Sequence, residues 1–224
     1  RVSFTYSSKR DPLPERMSIG PGGPIDAKPL TRAIFRFADS LLAENHQYRA
    51  IEALLMQELP RITDVSTGAA ITEDNTEDLI NQTIERIAHL DDSYLFIQGP
   101  PGSGKTYTGA RLIVALIQQG KRVAVTATSH KAIHNLLTYV EKVAVEHRLE
   151  FRGVKKSTNG VPESEFRGRY IDDVFSNNEV IEGDFHLVAG TAWLFADPGL
   201  DQQFDYLFVD EAGQVALANF VAMG

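Results

Sequence analysis

The sequence predicts an α/β protein built on a parallel sheet with flanking helices, and three observations carry that prediction. Short apolar runs of strand length recur down the chain, as in RVAVTA (122–127), HLVAG (186–190) and YLFVD (206–210). Segments with helical spacing of apolar residues lie between them, at 105–119 and from 130 to about 145. A further apolar run, YLFIQ (94–98), feeds directly into a glycine-rich loop that opens the first of those helices. Strands alternating with helices in this way form parallel sheets.

Taken in order, the chain begins with a polar stretch up to about residue 28 that is dense in Pro and Gly (DPLPERMSIGPGGPIDAKP), which suits looped chain and opposes helix. From 30 to about 61 the apolar residues fall three and four apart, including Ile34, Phe37, Leu41, Ile51, Leu54 and Leu55, and predict two amphipathic helices. Another helix is expected over 77–89, followed by a turn at Asp91-Asp92-Ser93 and the strand YLFIQ. A last helix is expected from Gly213. Between about 149 and 184 the pattern gives way to charged and Gly/Asn-containing sequence, read as an excursion from the sheet. These features divide the chain into a mostly helical and irregular N-terminal accessory segment, 1–75, and a sheet domain, 76–224. No internal repeat or low-complexity tract is visible.

The chain has 224 residues, 43% of them hydrophobic, enough for one sizeable core with additional structure. It has no cysteine, which excludes disulfides and thiolate chemistry and favours a cytoplasmic setting. Its longest apolar run, LIVALI (112–117), is far too short to span a bilayer, so no membrane partner is expected. With 22 basic and 30 acidic residues the formal charge is −8, the wrong sign for a broad basic surface, so any nucleic-acid contact must be local. The chain starts on Arg1 and stops at Gly224, directly after the last expected helix, and both ends are expected to be cut ends of a longer protein.

The glycine loop reads GPPGSGKT: Gly99, Pro100, Pro101, Gly102, Ser103, Gly104, Lys105 and Thr106. It satisfies the phosphate-loop pattern G-x-x-x-x-G-K-[ST] and lies between a predicted strand and a predicted helix, the context that the pattern requires. Glycines let successive main-chain N–H groups converge on a polyphosphate, and the helix N-terminus adds partial positive charge. Lys105 supplies a point charge for the β and γ phosphates, and the Thr106 hydroxyl is a Mg²⁺ ligand. The expected cofactors are ATP and Mg²⁺.

YLFVDEAGQ places Asp210 and Glu211 at the carboxyl end of a strand, where open α/β sheets bind ligands. Asp210 is expected to hold the metal and Glu211 to orient and deprotonate the attacking water. Gln214, one turn further on, is placed either to sense the γ phosphate or simply to sit exposed at a helix start.

GPPGSGKT, then TATSHKAIHNLL after the second strand, then DEAGQ, resemble motifs I, Ia and II of superfamily 1 helicases, in the branch of RNA-surveillance helicases and helicase-nucleases. The resemblance covers about 77–224. It implies that 76–224 is a first RecA-like, ATP-binding domain of a motor that moves along single-stranded nucleic acid, DNA ahead of RNA. GPPGSGKTYTGARLIVAL, SHKAIHNLL and GTAWLF further resemble a bacterial group in which a RecB-like nuclease precedes the helicase. No nuclease motif is visible here.

By the same resemblance Thr128, Ser129 and His130 would hold the backbone of the bound strand, and Thr191 would supply a second hydroxyl. Thr128 stands where the family has Pro and His130 where it has Asn, and a helix N-cap by Thr128 or Ser129 is the alternative. Trp193 and Phe195 would either stack on bases or fill the core. Gln82 lies at about the distance upstream of the phosphate loop where the family keeps an adenine-reading glutamine, an exposed helix Gln being the alternative. The later helicase motifs do not follow, so a second RecA-like domain with its arginines is an expected partner, and this chain alone is expected to hydrolyse ATP very slowly. The alternatives to a helicase are another class of P-loop NTPase and a P-loop fold kept as a non-catalytic scaffold.

Overall fold

A computed structural model of the chain describes residues 26–63, 66 and 79–224. The expected extended start, 1–25, and the rest of 64–78 lie outside the described residues. Among those described, five strands form one fully parallel sheet: β1 (Val123–Thr126), β2 (Gly153–Lys156), β3 (Ile171–Val174), β4 (Leu187–Ala189) and β5 (Tyr206–Val209). Their spatial order is β3-β2-β4-β1-β5, with β1 central and in register with β4 (Val125 beside Ala189) and β5 (Thr126 beside Val209). The α/β parallel-sheet fold expected from the sequence is the fold found.

The sheet is covered on both faces, which is why its central strands read as unbroken apolar runs. Val123, Val125, Leu187 and Ala189 point to one side, where α4 (Lys105–Gln118) and α5 (His130–Glu146) bury Ile113, Leu116, Ile133, Leu137 and Val140 against them. The intervening residues Ala124, Val154 and Val188 point to the other side and meet Leu194, Phe195 and Leu200. α4 stops in a Schellman motif, with Gly120 at a φ of 77° and the Lys121 N–H donating to the Leu116 carbonyl.

The lead-in forms two helices as expected, α1 (Lys28–Leu42) and α2 (Arg49–Met56), followed after the undescribed residues by α3 (Leu79–Ala88). α1 packs Leu30 and Ala33 against Ala192 and Ala196 of the α7 region (α7, Ala192–Phe195) and Ala222 of α8 (Leu217–Met223). Phe37, Tyr48 and Ile51 form a smaller cluster beside it. The Tyr48 hydroxyl donates to the Asp201 carboxylate at 3.0 Å, and Arg36 faces the same carboxylate at 3.8 Å.

Three expectations are corrected. Residues 149–184 are no excursion: β2 and β3 supply two of the five strands, and a short helix α6 (Asn177–Glu182) joins β3 to β4. The run YLFIQ joins no strand of the sheet. Its apolar pattern is that of a strand, but a strand also needs a neighbour, and 94–98 lies across an open cleft from β5 with Phe96 63% exposed. The helix expected from Gly213 is a single 3₁₀ turn, Ala212–Gln214, and α8 starts only at Leu217, because Val215 and Ala216 are extended.

Candidate functional site

The phosphate loop folds as its sequence requires at the two positions that matter most. Gly102 and Gly104 take φ values of 79° and 84°, the left-handed region that side chains disfavour, and nothing lies within 4 Å of where a Cβ would stand on either. Gly104 caps the N-terminus of α4, so Lys105 and Thr106 open the helix. The loop's base is tight: a Cβ on Gly99 would come within 2.5 Å of the Ser103 Oγ. The Ser103 N–H donates to the Pro100 carbonyl, and Lys105 Nζ donates to the carbonyls of Gly99 and Pro100 at 2.7 and 2.8 Å.

At the carboxyl end of β5 the chain turns sharply. The Asp210 N–H still donates to Thr126 of β1, so Asp210 is held at the sheet's end, while Glu211 has a φ of 52°. The Gln214 N–H then closes the turn on the Glu211 carbonyl at 2.8 Å. Glu211 and Gln214 are exposed and Asp210 is half-buried.

Pro101, Gly102, Lys105 and Thr106 line the same cleft as Asp210, Glu211 and Gln214. Its volume is about 1760 Å³, above the roughly 300–1,000 Å³ of a typical ligand pocket. The apolar flank of the cleft is formed by 95–97 on one side and by β5 on the other. The residues present fit a magnesium–polyphosphate group: the main-chain N–H groups at the start of α4, the Lys105 ammonium, the Thr106 hydroxyl and the carboxylates of Asp210 and Glu211.

Thr128, Ser129, His130 and Thr191 fall on the adjacent part of the same sheet edge, past the ends of β1 and β4, and do not line this cleft. Thr128 is exposed; the Ser129 Oγ accepts from the Ala132 N–H at 3.1 Å and so caps α5. Thr191 occupies the N-cap position of α7 without a side-chain cap bond. Phe195 is buried in the core, and Trp193 is half-buried with its Nε1–H donating to the Asp26 carbonyl at 2.9 Å, so neither is free to stack on a base. Gln82 is half-buried on α3 and also lies outside the cleft lining.

The sequence reading missed a polar cluster behind His130. Lys155 of β2 is fully buried, and its Nζ donates to the Ser164 carbonyl, to Ser157 Oγ at 3.0 Å and to His130 Nδ1 at 3.3 Å. The Ser157 hydroxyl donates to Asp173, which also accepts from the main-chain N–H groups of Phe166 and Arg167. Burial pushes the Lys155 pKa down to about 8 against the pull of Asp173. Burial works to raise the Asp173 pKa, but the bonds from Ser157, Arg167 and Phe166 outweigh it and hold the carboxyl below its ordinary value. Burial, then the Lys155 charge, lower both His130 and His134. The sequence signal was the KKS…D spacing in 155–173, which falls in the charged stretch read as an excursion from the sheet.

A P-loop at the start of a helix, facing an Asp-Glu pair at the end of a parallel strand, defines a P-loop NTPase domain of RecA-like type. The AAA-domain family profile matches residues 81–223, and the chain belongs to that family. Among characterised proteins it is similar to the DNA replication ATP-dependent helicase/nuclease DNA2 of Saccharomyces cerevisiae, 28% identical over 151 residues. It is also similar to the Arabidopsis thaliana DNA replication ATP-dependent helicase/nuclease JHS1, 30% identical over 137 residues, and to the dna2 protein of Schizosaccharomyces pombe, 26% identical over 132. These matches cover 64%, 61% and 58% of the chain but only 9%, 10% and 9% of the relatives, so the chain spans about a tenth of their length. The fold and these matches make it a RecA-like domain of the superfamily 1 helicase type. No described helix is long and apolar enough to cross a membrane.

Proposed function

We propose that this chain is the ATP-binding half of a motor that moves along single-stranded DNA, completed by a second RecA-like domain across the cleft. The observation that carries the reading is the convergence of Lys105 and Thr106 with Asp210 and Glu211 on one cleft. The relatives named as DNA replication ATP-dependent helicase/nucleases favour DNA over RNA.

In the resting loop the Lys105 ammonium is spent on two carbonyls, and a bound polyphosphate takes it over through a shorter-range, charge-assisted contact. Thr106 and Asp210 would hold Mg²⁺, which when bound neutralises developing phosphate charge. Glu211 orients the attacking water and accepts its proton. Gln214, exposed beside it, connects the γ-phosphate position to the neighbouring domain. Gln82 would read the adenine edge from α3, outside the cleft lining. Thr128, Ser129, His130 and Thr191 hold strand phosphates, a contact that carries no sequence information. The second domain's arginines would complete the site, and without them turnover is slow by a factor of about 10³ to 10⁵.

Titration of the chain with a fluorescent ATP analogue, with and without Mg²⁺, tests the reading beside Lys105→Ala. Losing the charge-assisted contact should weaken binding by about 1.5–3 kcal/mol. Equal binding by both proteins would defeat it. A non-helicase NTPase would bind nucleotide in the same way, but its turnover, measured on a chain that includes the second domain, would ignore single-stranded DNA.

A further inference from the structure

Lys155 is an unusual residue for a sheet interior: a fully buried ammonium on β2, one strand in from the edge, whose hydrogen-bond partners among the described residues include no carboxylate. Buried charges persist where each hydrogen has an acceptor. Two of its three hydrogens are accounted for by the Ser164 carbonyl and Ser157 Oγ, which belong to the loop between β2 and β3. The third lies between the Lys156 carbonyl at 3.4 Å and, out of that loop, Nδ1 of His130 at 3.3 Å, the first residue of α5.

An ammonium has no lone pair, so in this contact the histidine nitrogen must accept. His130 Nδ1 is therefore unprotonated, and in the neutral ring the single N–H is on Nε2. Among the described residues no acceptor lies within hydrogen-bond reach of His130 Nε2, and the residue is half-buried at the carboxyl edge of the sheet. The other charged groups around the pair act in the same sense or lie further back. Lys156 on β2 and His134 on α5 both oppose a positive charge on His130, and Asp173 on β3 and Glu165 in the loop act on Lys155. His134 is itself engaged, its Nε2 facing the Ser164 carbonyl at 3.2 Å.

We infer that Lys155 is a positioning residue that locks His130 in its Nε2–H tautomer, so that the start of α5 offers a neutral N–H donor, not a cation, to a strand phosphate. The phosphate half of this inference rests on the proposed single-strand contact; the tautomer lock does not. A neutral donor suits a motor that must release each phosphate as it steps, since its attraction is short in range and weakly screened by salt, unlike that of a lysine. It also accounts for how a histidine serves in a domain of net charge −8 without becoming a pH-dependent ligand near neutrality.

Long-range ¹H–¹⁵N correlation spectra of the ¹⁵N-histidine-labelled chain read the tautomer directly. The expected result is a single Nε2–H pattern for His130 at neutral pH, with a pKa below the ordinary 6.5 and a second inflection near about 8 as Lys155 loses its proton. In Lys155→Met that inflection vanishes, the pKa rises, and the Nδ1–H form becomes populated. A His130 that is protonated on Nδ1 in the wild type, or whose spectrum is the same in Lys155→Met, overturns the lock; if the variant does not fold, absence of the wild-type inflection near about 8 overturns it. Binding of a fluorescent oligo(dT) at low salt should fall several-fold in His130→Ala and in Lys155→Met. If His130→Ala binds oligo(dT) as wild type does while the tautomer is locked, the strand contact is what fails.

Discussion

The main-chain N–H of Glu211 donates to Oδ1 of Asp210 at 2.9 Å, across a turn in which Glu211 itself takes a φ of 52°. One carboxylate is thus tied back to the chain by its neighbour's amide, while that neighbour's side chain is thrown outward, exposed, into the cleft. Two adjacent acids on a regular strand would point to opposite faces; the left-handed turn is what lets both line one cleft.

The Glu211 carboxylate is therefore expected to be dispensable for nucleotide binding and necessary for turnover. Glu211→Gln keeps the shape and removes the base, so steady-state hydrolysis on a chain with both RecA-like domains should fall about 10²- to 10⁴-fold. Affinity for the ATP analogue should stay within about twofold. Loss of binding in parallel with turnover would place Glu211 among the ligands instead. Glu211→Gly should also abolish turnover yet raise stability, because a left-handed φ costs a side-chain-bearing residue about 1–2 kcal/mol.

Lys155 gives the domain an alkaline stability gain. Its pKa is about 8 in the folded chain against an ordinary 10.5, so between those values the unfolded chain binds more protons and stability rises with pH. Its penalty is fully present below about 8. His130 and His134, also lowered, act in the same direction at lower pH: stability should decline as pH falls below the ordinary 6.5. Urea unfolding midpoints measured from neutral pH to about 10 should climb in the wild type and stay flat in Lys155→Met; a flat wild-type profile would show that the ammonium is well solvated.

The same residue explains what could and could not be read from the sequence. The phosphate loop and the Asp-Glu pair were legible because each is contiguous, with its chemistry and its local geometry written in eight or fewer residues. β2 and β3 were not, because GVKK and IDDV carry charges that a pattern reading assigns to solvent. In the fold Lys155 and Asp173 turn inward to a shared serine, Ser157, and the strands are held by that network as well as by apolar burial. YLFIQ failed in the opposite sense, since its composition is that of a strand and nothing local reveals whether a neighbour is within reach. Ser129 was open to two readings, a strand contact by resemblance or a helix cap, and the cap is what the hydrogen bond records.

The lead-in helices should behave as part of the nucleotide-binding unit. Tyr48 is buried against Phe37 and Ile51, and its hydroxyl supplies the partner of Asp201, which lies after the α7 region. Tyr48→Phe retains the ring and deletes the bond to the Asp201 carboxylate together with the long one, 3.4 Å, that the hydroxyl accepts from Gln47 Nε2, at a cost of about 1–2 kcal/mol. Chemical unfolding should remain a single transition with a lowered midpoint. Two transitions, the first alone shifted, would mean that the α1–α2 segment unfolds independently of the sheet.

Arg148 provides the control for strain without function. It takes a φ of 53° just after α5, where the Leu149 N–H donates to the Ala144 carbonyl and its own N–H to Val145, the pair of bonds that closes a Schellman motif. At the equivalent position after α4 the chain has Gly120 at 77°. Arg148→Gly should therefore stabilise the fold by up to about 1 kcal/mol, the left-handed penalty being partly offset by the greater freedom of glycine in the unfolded chain. Unlike Glu211, Arg148 lines no part of the cleft, so nucleotide affinity should be unchanged. Thermal unfolding and the ATP-analogue titration on the same preparation check both halves. A destabilised Arg148→Gly would mean that the arginine makes contacts worth more than the strain it carries, and a changed affinity would couple the far end of α5 to the phosphate loop through the α4–α5 packing.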